Sequence, residues 1–137
     1  MFMDEEVAQR GGQEYAAVAS ARGEKHIAAL ESDRGVFQPR ALGISGTSDQ
    51  MKKLATWQPI FDPYGITLTT GGGGADINPL RNFYPGILFM GIIPEDQRYF
   101  KLHHAASDTF EQVDRREMQM GAAGIAALLY LYDRYGL

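Results

Sequence analysis

The stretch Ile87-Leu-Phe-Met-Gly-Ile-Ile93 is an apolar run of strand length that stands between Gly86 and Pro94. A continuous run of this kind is typical of a strand buried on both faces, because helices cover the sheet to which it belongs. It predicts a buried strand over 87–90 that extends towards 93. Shorter runs predict further strands at 27–31, 41–44 and 66–70, and residues 1–3 are interpreted as the end of another strand.

Helical periodicity separates these strands. Apolar residues recur at helical spacing over 11–22, 48–57 and 114–135. Ser48 is the predicted N-cap of the second helix, and Asp114 with Glu117 has the spacing of a capping box at the start of the third. Strands that alternate with helices predict an α/β fold, with a central mostly parallel or mixed sheet and flanking helices.

Composition narrows the classes of function. The chain has 137 residues, which corresponds to one domain. It carries 13 Lys and Arg against 17 Asp and Glu, and this balance argues against binding to nucleic acid or to an anionic membrane surface. The longest apolar stretch, 121–132, is shorter than the roughly 20 residues of a membrane-spanning helix. Because there is no cysteine, a metal ion would have to be bound by His, Asp and Glu.

Acidic residues and histidines follow the predicted strands, at the positions where ligands bind in open α/β sheets. They are Glu5, Glu6, Asp33, His103 and His104. In an extended chain neighbouring carboxylates point to opposite sides, so one glutamate can bind a metal ion while the other faces water. Oxygen and imidazole donors form a sensible set of zinc ligands. Zinc lowers the pKa of a bound water, and a free carboxylate can then accept its proton.

Each motif also has a plain structural interpretation. The paired glutamates suit an acidic turn before a helix, whose N-terminus favours negative charge. Asp33 could cap a segment or form an ion pair with Arg34. Adjacent histidines are most often packed or surface residues, and Asp108-Thr109 could simply turn the chain.

The run Gly71–Gly74 leads into Ala75 and Asp76. It lacks the Gly-Lys-Ser/Thr ending of a phosphate-binding loop, and no helical pattern opens directly after it. Two interpretations stay open. The run is either a flexible wall that lets the backbone approach a ligand, with Asp76 at its end, or a loop with no binding role.

Four stretches, in this order, resemble the motifs of the co-catalytic dizinc exopeptidases, the aminopeptidase-Y and carboxypeptidase-Q-like group of metallopeptidases. They are Phe-Met-Asp-Glu-Glu-Val-Ala-Gln-Arg-Gly-Gly (2–12), Ala-Leu-Glu-Ser-Asp (29–33), Gly-Gly-Gly-Ala-Asp-Ile-Asn-Pro-Leu (72–80) and Tyr-Phe-Lys-Leu-His-His-Ala-Ala-Ser-Asp-Thr-Phe (99–110). The likeness covers nearly the whole chain. It implies that residues 1–137 are the C-terminal portion of a zinc exopeptidase catalytic domain, with part of the three-layer phosphatase/aminopeptidase-like fold.

The resemblance also implies roles for particular residues. It makes Glu5 the general base, Glu6 a ligand of one zinc ion and Asp33 a ligand of the other. It makes His104 share the metal of Glu6, with His103 facing elsewhere. It places Gly73, Gly74 and Asp76 in the lining of the pocket that binds the peptide substrate.

Two elements of the family pattern lie outside the chain. The resemblance implies an upstream histidine ligand and an upstream aspartate that bridges the two zinc ions, and both would precede Met3. We therefore expect this polypeptide by itself to bind metal weakly and to be an inactive portion of a hydrolase. The resemblance leans towards an exported or periplasmic protein.

Two other functions compete with the exopeptidase. A glutaminyl-cyclase-like enzyme uses one zinc ion bound by Asp, Glu and His, but the adjacent acids and the His-His-x-x-x-Asp-Thr segment fit a peptidase better. A non-catalytic interaction domain of the same fold is disfavoured because the candidate ligands are retained.

An incomplete sheet predicts self-association, because an open edge and uncovered apolar faces can pair with another copy. We expect a dimer or a larger assembly in solution. Sedimentation measurements on the purified chain check this, and a monodisperse monomer would contradict it.

Overall fold

The computed structural model describes residues 3–137. A strand end was predicted over residues 1–3. Residues 1 and 2 lie outside the described part of the chain, and Met3 lies in a bend. The elements in order are α1 (Arg10–Ala21), β1 (Ala28–Glu31), β2 (Pro39–Ser45), α2 (Ser48–Ala55), α3 (Gln58–Phe61), β3 (Thr67–Thr70), β4 (Leu88–Pro94), α4 (Tyr99–Leu102) and α5 (Arg115–Tyr135). Short 3-10 turns occupy 62–64, 78–82 and 110–112.

The four strands form one mixed sheet in the order β1-β4-β2-β3. β1 runs parallel to β4, and β2 runs parallel to β3. β2 and β4 are antiparallel. The run at 87–93 therefore supplies a central strand, and the predicted α/β fold with a mixed sheet and flanking helices is confirmed.

Side chains of β4 alternate between two apolar cores, as the geometry of a strand requires. Leu88, Met90 and Ile92 point to the larger core, which α2 and α5 cover with Leu54 and Leu128. The smaller core lies on the opposite face, where α1 and the turn at 78–82 pack against the sheet. Its buried members are Ala16, Ala29, Ile77, Leu80 and Phe89.

The glycine run packs directly on the face of the sheet. Gly43 of β2 lies opposite Gly91 of β4, so this part of the face has no side chains. A Cβ atom at Gly43 would overlap the carbonyl oxygen of Gly71, and one at Gly72 would overlap the backbone of Gly43. Gly71 and Gly73 have φ values of 91° and 98°, a region that L side chains rarely adopt. The run is thus a layer of backbone that lies close against the strands.

The helix starts differ from the prediction in two details. The N-cap of α2 is Thr47, not Ser48, because Thr47 is extended and its side chain accepts a hydrogen bond from the Gln50 amide in a full capping box. Asp114 caps α5 as predicted by accepting from the Glu117 amide at 2.9 Å. The Glu117 carboxylate binds Arg98 and does not close the predicted capping box.

No helix within residues 3–137 is long and apolar enough to cross a lipid bilayer.

We predict that Gly43→Ala destabilises the protein, because the added methyl group pushes the glycine run off the sheet. The free energy of unfolding should fall by about 1–3 kcal/mol, the usual cost of overpacking a close contact. Chemical denaturation measures this. Gly86→Ala is the matched control, since a Cβ at Gly86 meets no atom within 4 Å. Equal stability of the two variants would contradict the close packing.

Candidate metal centre

Three separate segments meet around one cavity of about 410 Å³. The turn before α1 contributes the two glutamates, the loop after β1 contributes the aspartate, and the segment around α4 contributes the histidines. The predicted residues that line the cavity are Glu5, Glu6, Asp33, His103 and His104, and Asp108 lines it with them.

Glu6 and His104 make direct contact across the cavity. Oε1 of Glu6 lies 2.9 Å from Nε2 of His104, although both side chains are largely exposed. Two donor atoms of one tetrahedral zinc ion lie about 3.3 Å apart, given metal–ligand distances of about 2.0–2.1 Å. A small widening of this pair would therefore accommodate an ion, and the chemistry of the donors fits zinc.

Left-handed backbone occurs in two of the segments that contribute residues to this cavity. Among the described residues, three other than glycine have positive φ: Asp4 at 65°, Gln9 at 54° and His104 at 57°. Asp4 adjoins the glutamates, and His104 is a candidate ligand. Conformations of this kind cost about 1–3 kcal/mol each and cluster at functional sites.

The glutamates lie in a turn, which agrees with the plain structural interpretation of the pair and not with the extended chain assumed for the metal-binding one. The carbonyl oxygen of Asp4 accepts hydrogen bonds from the amides of Ala8 and Gln9, at 3.2 and 2.7 Å. The Asp4 carboxylate binds Arg10 at 2.6 Å, which ties the turn to α1. Because the turn curls back, Glu5 and Glu6 face the same cavity instead of opposite sides.

Several negative charges lie near Glu5. Loss of solvation raises the pKa of Glu5 above its ordinary value, and the charges of Glu6, Asp33 and Asp76 raise it further. His104 has the opposite, smaller effect. A cation in the cavity would offset this repulsion, since it interacts favourably with every carboxylate around it.

Asp33 stands between this cavity and a second one of about 390 Å³. The second cavity is lined by the glycine run, including Gly73 and Gly74, and by Glu31. Arg34 does not act as the ion-pair partner of Asp33, because its guanidinium lies over the ring of Tyr99, 5.3 Å from the centroid. Within residues 3–137 no ion pair joins Asp33 to a cation.

Glu31, to which the sequence assigned no role, lies against the glycine run. Its Oε2 accepts a hydrogen bond from the Ile77 amide at 3.1 Å. A Cβ at Gly74 would overlap the same carboxylate. Burial raises the pKa of Glu31, while the bond from Ile77 opposes the rise. The available signal was its place in the Leu-Glu-Ser-Asp stretch at the carboxyl end of β1.

Arg98 anchors the segment that carries the histidines, and this residue was also overlooked. Its guanidinium binds Glu95 at 2.9 Å and Glu117 of α5 at 2.7 Å. It also lies 4.8 Å from the ring centroid of Phe37. The two carboxylates raise the pKa of Arg98, so the guanidinium stays charged. In the sequence, the spacing of three residues between Glu95 and Arg98 indicated that these two side chains could form an ion pair.

Known proteins are similar to this chain in sequence and in fold. Bovine carboxypeptidase Q is 27% identical over 133 residues, which are 96% of this chain and 28% of the bovine protein. Human carboxypeptidase Q is 29% identical over 105 residues, which are 74% of this chain and 21% of the human protein. The predicted resemblance to the carboxypeptidase-Q-like metallopeptidases is confirmed.

A peptidase M28 precursor from Shewanella amazonensis has the same fold. Its crystal structure matches 96% of the chain with a TM-score of 0.82 and 22% identity, and the chain covers 30% of that structure. The chain spans about 28% of the length of bovine carboxypeptidase Q. No protein-family model matches it.

We predict that Glu95→Gln lowers stability in a pH-dependent way. The hydrogen bond from Arg98 lowers the pKa of Glu95, so its stabilisation is present above the ordinary value of about 4.5 and is lost as pH falls through the lowered value. The melting temperature should fall by a few degrees at pH 7, and the difference should vanish in acid. Thermal unfolding from pH 7 to pH 2 measures this. The neighbouring exposed Asp96→Asn is the control, and a difference that does not depend on pH would contradict the pairing.

Proposed function

We propose that the chain forms part of the metal centre of a zinc-dependent exopeptidase. The contact between Glu6 and His104 carries the proposal, because residues 98 positions apart meet there, in a cavity that Glu5 and Asp33 also line. Oxygen and nitrogen donors of this kind are typical ligands of zinc in hydrolytic enzymes. The likeness to carboxypeptidase Q supports a peptidase over a glutaminyl cyclase or a scaffold.

In this proposal Glu6 and His104 hold one metal ion, and Asp33 holds the other. A bound zinc ion would lower the pKa of a water molecule towards neutrality and polarise the scissile carbonyl group. The described residues thus supply three ligands, all at the carboxyl-end edge of the sheet formed by β1 and β4. The two upstream ligands that the family resemblance implies would complete the set.

Glu5 then acts as general base and general acid. Its carboxylate accepts a proton from water as the oxygen attacks the peptide carbonyl carbon, and later donates that proton to the leaving amine. Loss of solvation, the largest cause of the raised pKa of Glu5, makes its carboxylate a stronger base towards the water molecule. The products are a free amino acid and a peptide shortened by one residue, or two amino acids from a dipeptide.

The second cavity is the proposed substrate pocket, and the glycine run forms one wall of it. Gly73 and Gly74 expose backbone there, and Asp33 lies between that wall and the proposed base. Asp76 is half-buried. It lies near Glu5 and Glu31, since its charge raises the pKa of each. In this proposal a bound peptide would lie with its backbone beside the metal ligands.

Zinc binding by the 137-residue chain tests the ligand assignment. We expect weak, saturable binding that Glu6→Gln and His104→Ala each weaken by more than about tenfold, since losing a ligand costs at least as much as losing a supporting residue. Glu5→Gln should weaken binding less than either ligand variant, because Glu5 acts on the ion only through its charge. Isothermal titration calorimetry measures this. His26→Ala is the control, because His26 binds Tyr15 instead.

Assays with aminoacyl anilides and with an N-terminal glutamine peptide complete the test. We expect no turnover of either substrate by the isolated chain. Anilide hydrolysis that Glu5→Gln removes would show that the described residues are sufficient for catalysis. Zinc affinity equal in all variants would contradict the metal centre itself.

A further inference from the structure

Three aromatic rings form a continuous stack on one side of the cavity. The rings of His103 and His104 lie 3.9 Å apart at their centroids, with an angle of 23° between their planes. The ring of Tyr99 lies 4.8 Å from that of His103, at 32°. The His103 ring is thus in contact with both Tyr99 and the proposed metal ligand His104.

This geometry decides what His103 can do. Donor atoms of Glu6, His103 and His104 all lie within 4.8 Å of one another, a spacing that by itself would suit three ligands of one ion. However, an imidazole nitrogen binds a metal with a lone pair that lies in the plane of the ring. Because the two rings are stacked and not coplanar, the in-plane lone pairs of His103 and His104 lie in separate, nearly parallel planes. The two rings are therefore poorly placed to share one ion.

We propose that His103 is a positioning residue, whose ring fixes the orientation of His104 for the metal ion. This rests on the proposed function, in which His104 and Glu6 share a metal. A histidine that binds a metal usually donates its second ring N–H to a carboxylate or a carbonyl, which holds the ring in place. Within residues 3–137 the side chain of His104 hydrogen-bonds through Nε2, to Glu6. The stack with His103 supplies the missing support.

The stack is itself firmly held. Tyr99 and His103 are four residues apart, and the His103 amide donates to the Tyr99 carbonyl at 2.8 Å, so one helical turn sets the two rings side by side. The guanidinium of Arg34 lies over the ring of Tyr99, 5.3 Å from its centroid, and Arg34 comes directly after Asp33. The row of Arg34, Tyr99 and His103 thereby links the loop of one proposed ligand to the ring of another.

The test compares wild type with His103→Phe and His103→Ala. Phenylalanine keeps a flat ring but has no nitrogen, whereas alanine removes the ring. The first measurement uses the metal-free chain: ¹H–¹³C spectra of the histidine rings, with His26 as internal reference. In wild type and His103→Phe the ring protons of His104 should be shifted upfield by the stacked neighbour, and in His103→Ala this shift should disappear.

The second measurement is a zinc titration followed on the same resonances. We expect His103→Phe to bind zinc within about threefold of wild type and His103→Ala to bind about tenfold more weakly, the usual loss for a residue that supports a ligand. Equal weakening by both variants would overturn the proposal, because His103 would then be a ligand. Equal affinity of all three would overturn it as well.

The two measurements also separate this proposal from the proposed function. If zinc does not perturb His104 in the wild-type chain, the metal centre is contradicted. The metal-free shifts still decide whether His103 holds the ring. If the ring protons of His104 have the same chemical shifts in His103→Ala as in wild type, the stack is absent. This conclusion does not depend on whether zinc binds.

Discussion

The parallel pairing of β1 with β4 is the constraint on which the candidate metal centre depends. Glu31 lies opposite Gly91 in this pair, so both strands end at the same edge of the sheet. The loop after β1 carries Asp33, and the segment after β4 carries the two histidines. Carboxyl ends of parallel strands meet in this way in open α/β sheets, and the crevice beside them is where ligands bind. Donor groups far apart in the chain therefore come together.

A second constraint acts on the face of the sheet. The glycine run crosses β2 and β4 where Gly43 and Gly91 leave no side chains, and it ends against the Glu31 carboxylate. Arg81 reinforces it by donating to the Gly72 carbonyl at 3.1 Å while it lies over the Phe89 ring. Close backbone packing thus positions the wall of the second cavity beside Asp33. Both proposed parts of the site depend on the same central strand.

Local patterns in the sequence predicted most of the elements. Apolar runs and helical spacing depend only on neighbouring residues, so β1 to β4, α1, α2 and α5 could be read from them. The N-cap of α2 was wrong by one residue because Thr47 and Ser48 are both good caps, and only backbone conformation separates them. The end of α2, predicted at Trp57, is at Ala55. For Glu5 and Glu6 the sequence left a turn and an extended chain as alternatives, because the turn is closed by backbone hydrogen bonds that involve no distinctive residue type.

Residues that act through distant partners could not be predicted in the same way. Arg98 joins Glu95 to Glu117, and Glu31 binds the Ile77 amide; each pairing exists only when α5 or the glycine run has docked. Likewise His103 was expected to face away from the site. The structure places it on the cavity and stacks it on His104.

The amino-acid sequence by itself determined the α/β class, the order of strands and helices, and the types of donor available for a metal, because these follow from local periodicity and composition. Only the tertiary structure decided which donors meet. Strand order, the antiparallel pairing of β2 with β4 and the turn before α1 bring Glu6 to His104. These contacts depend on how separate segments pack, and no stretch of the chain encodes them alone.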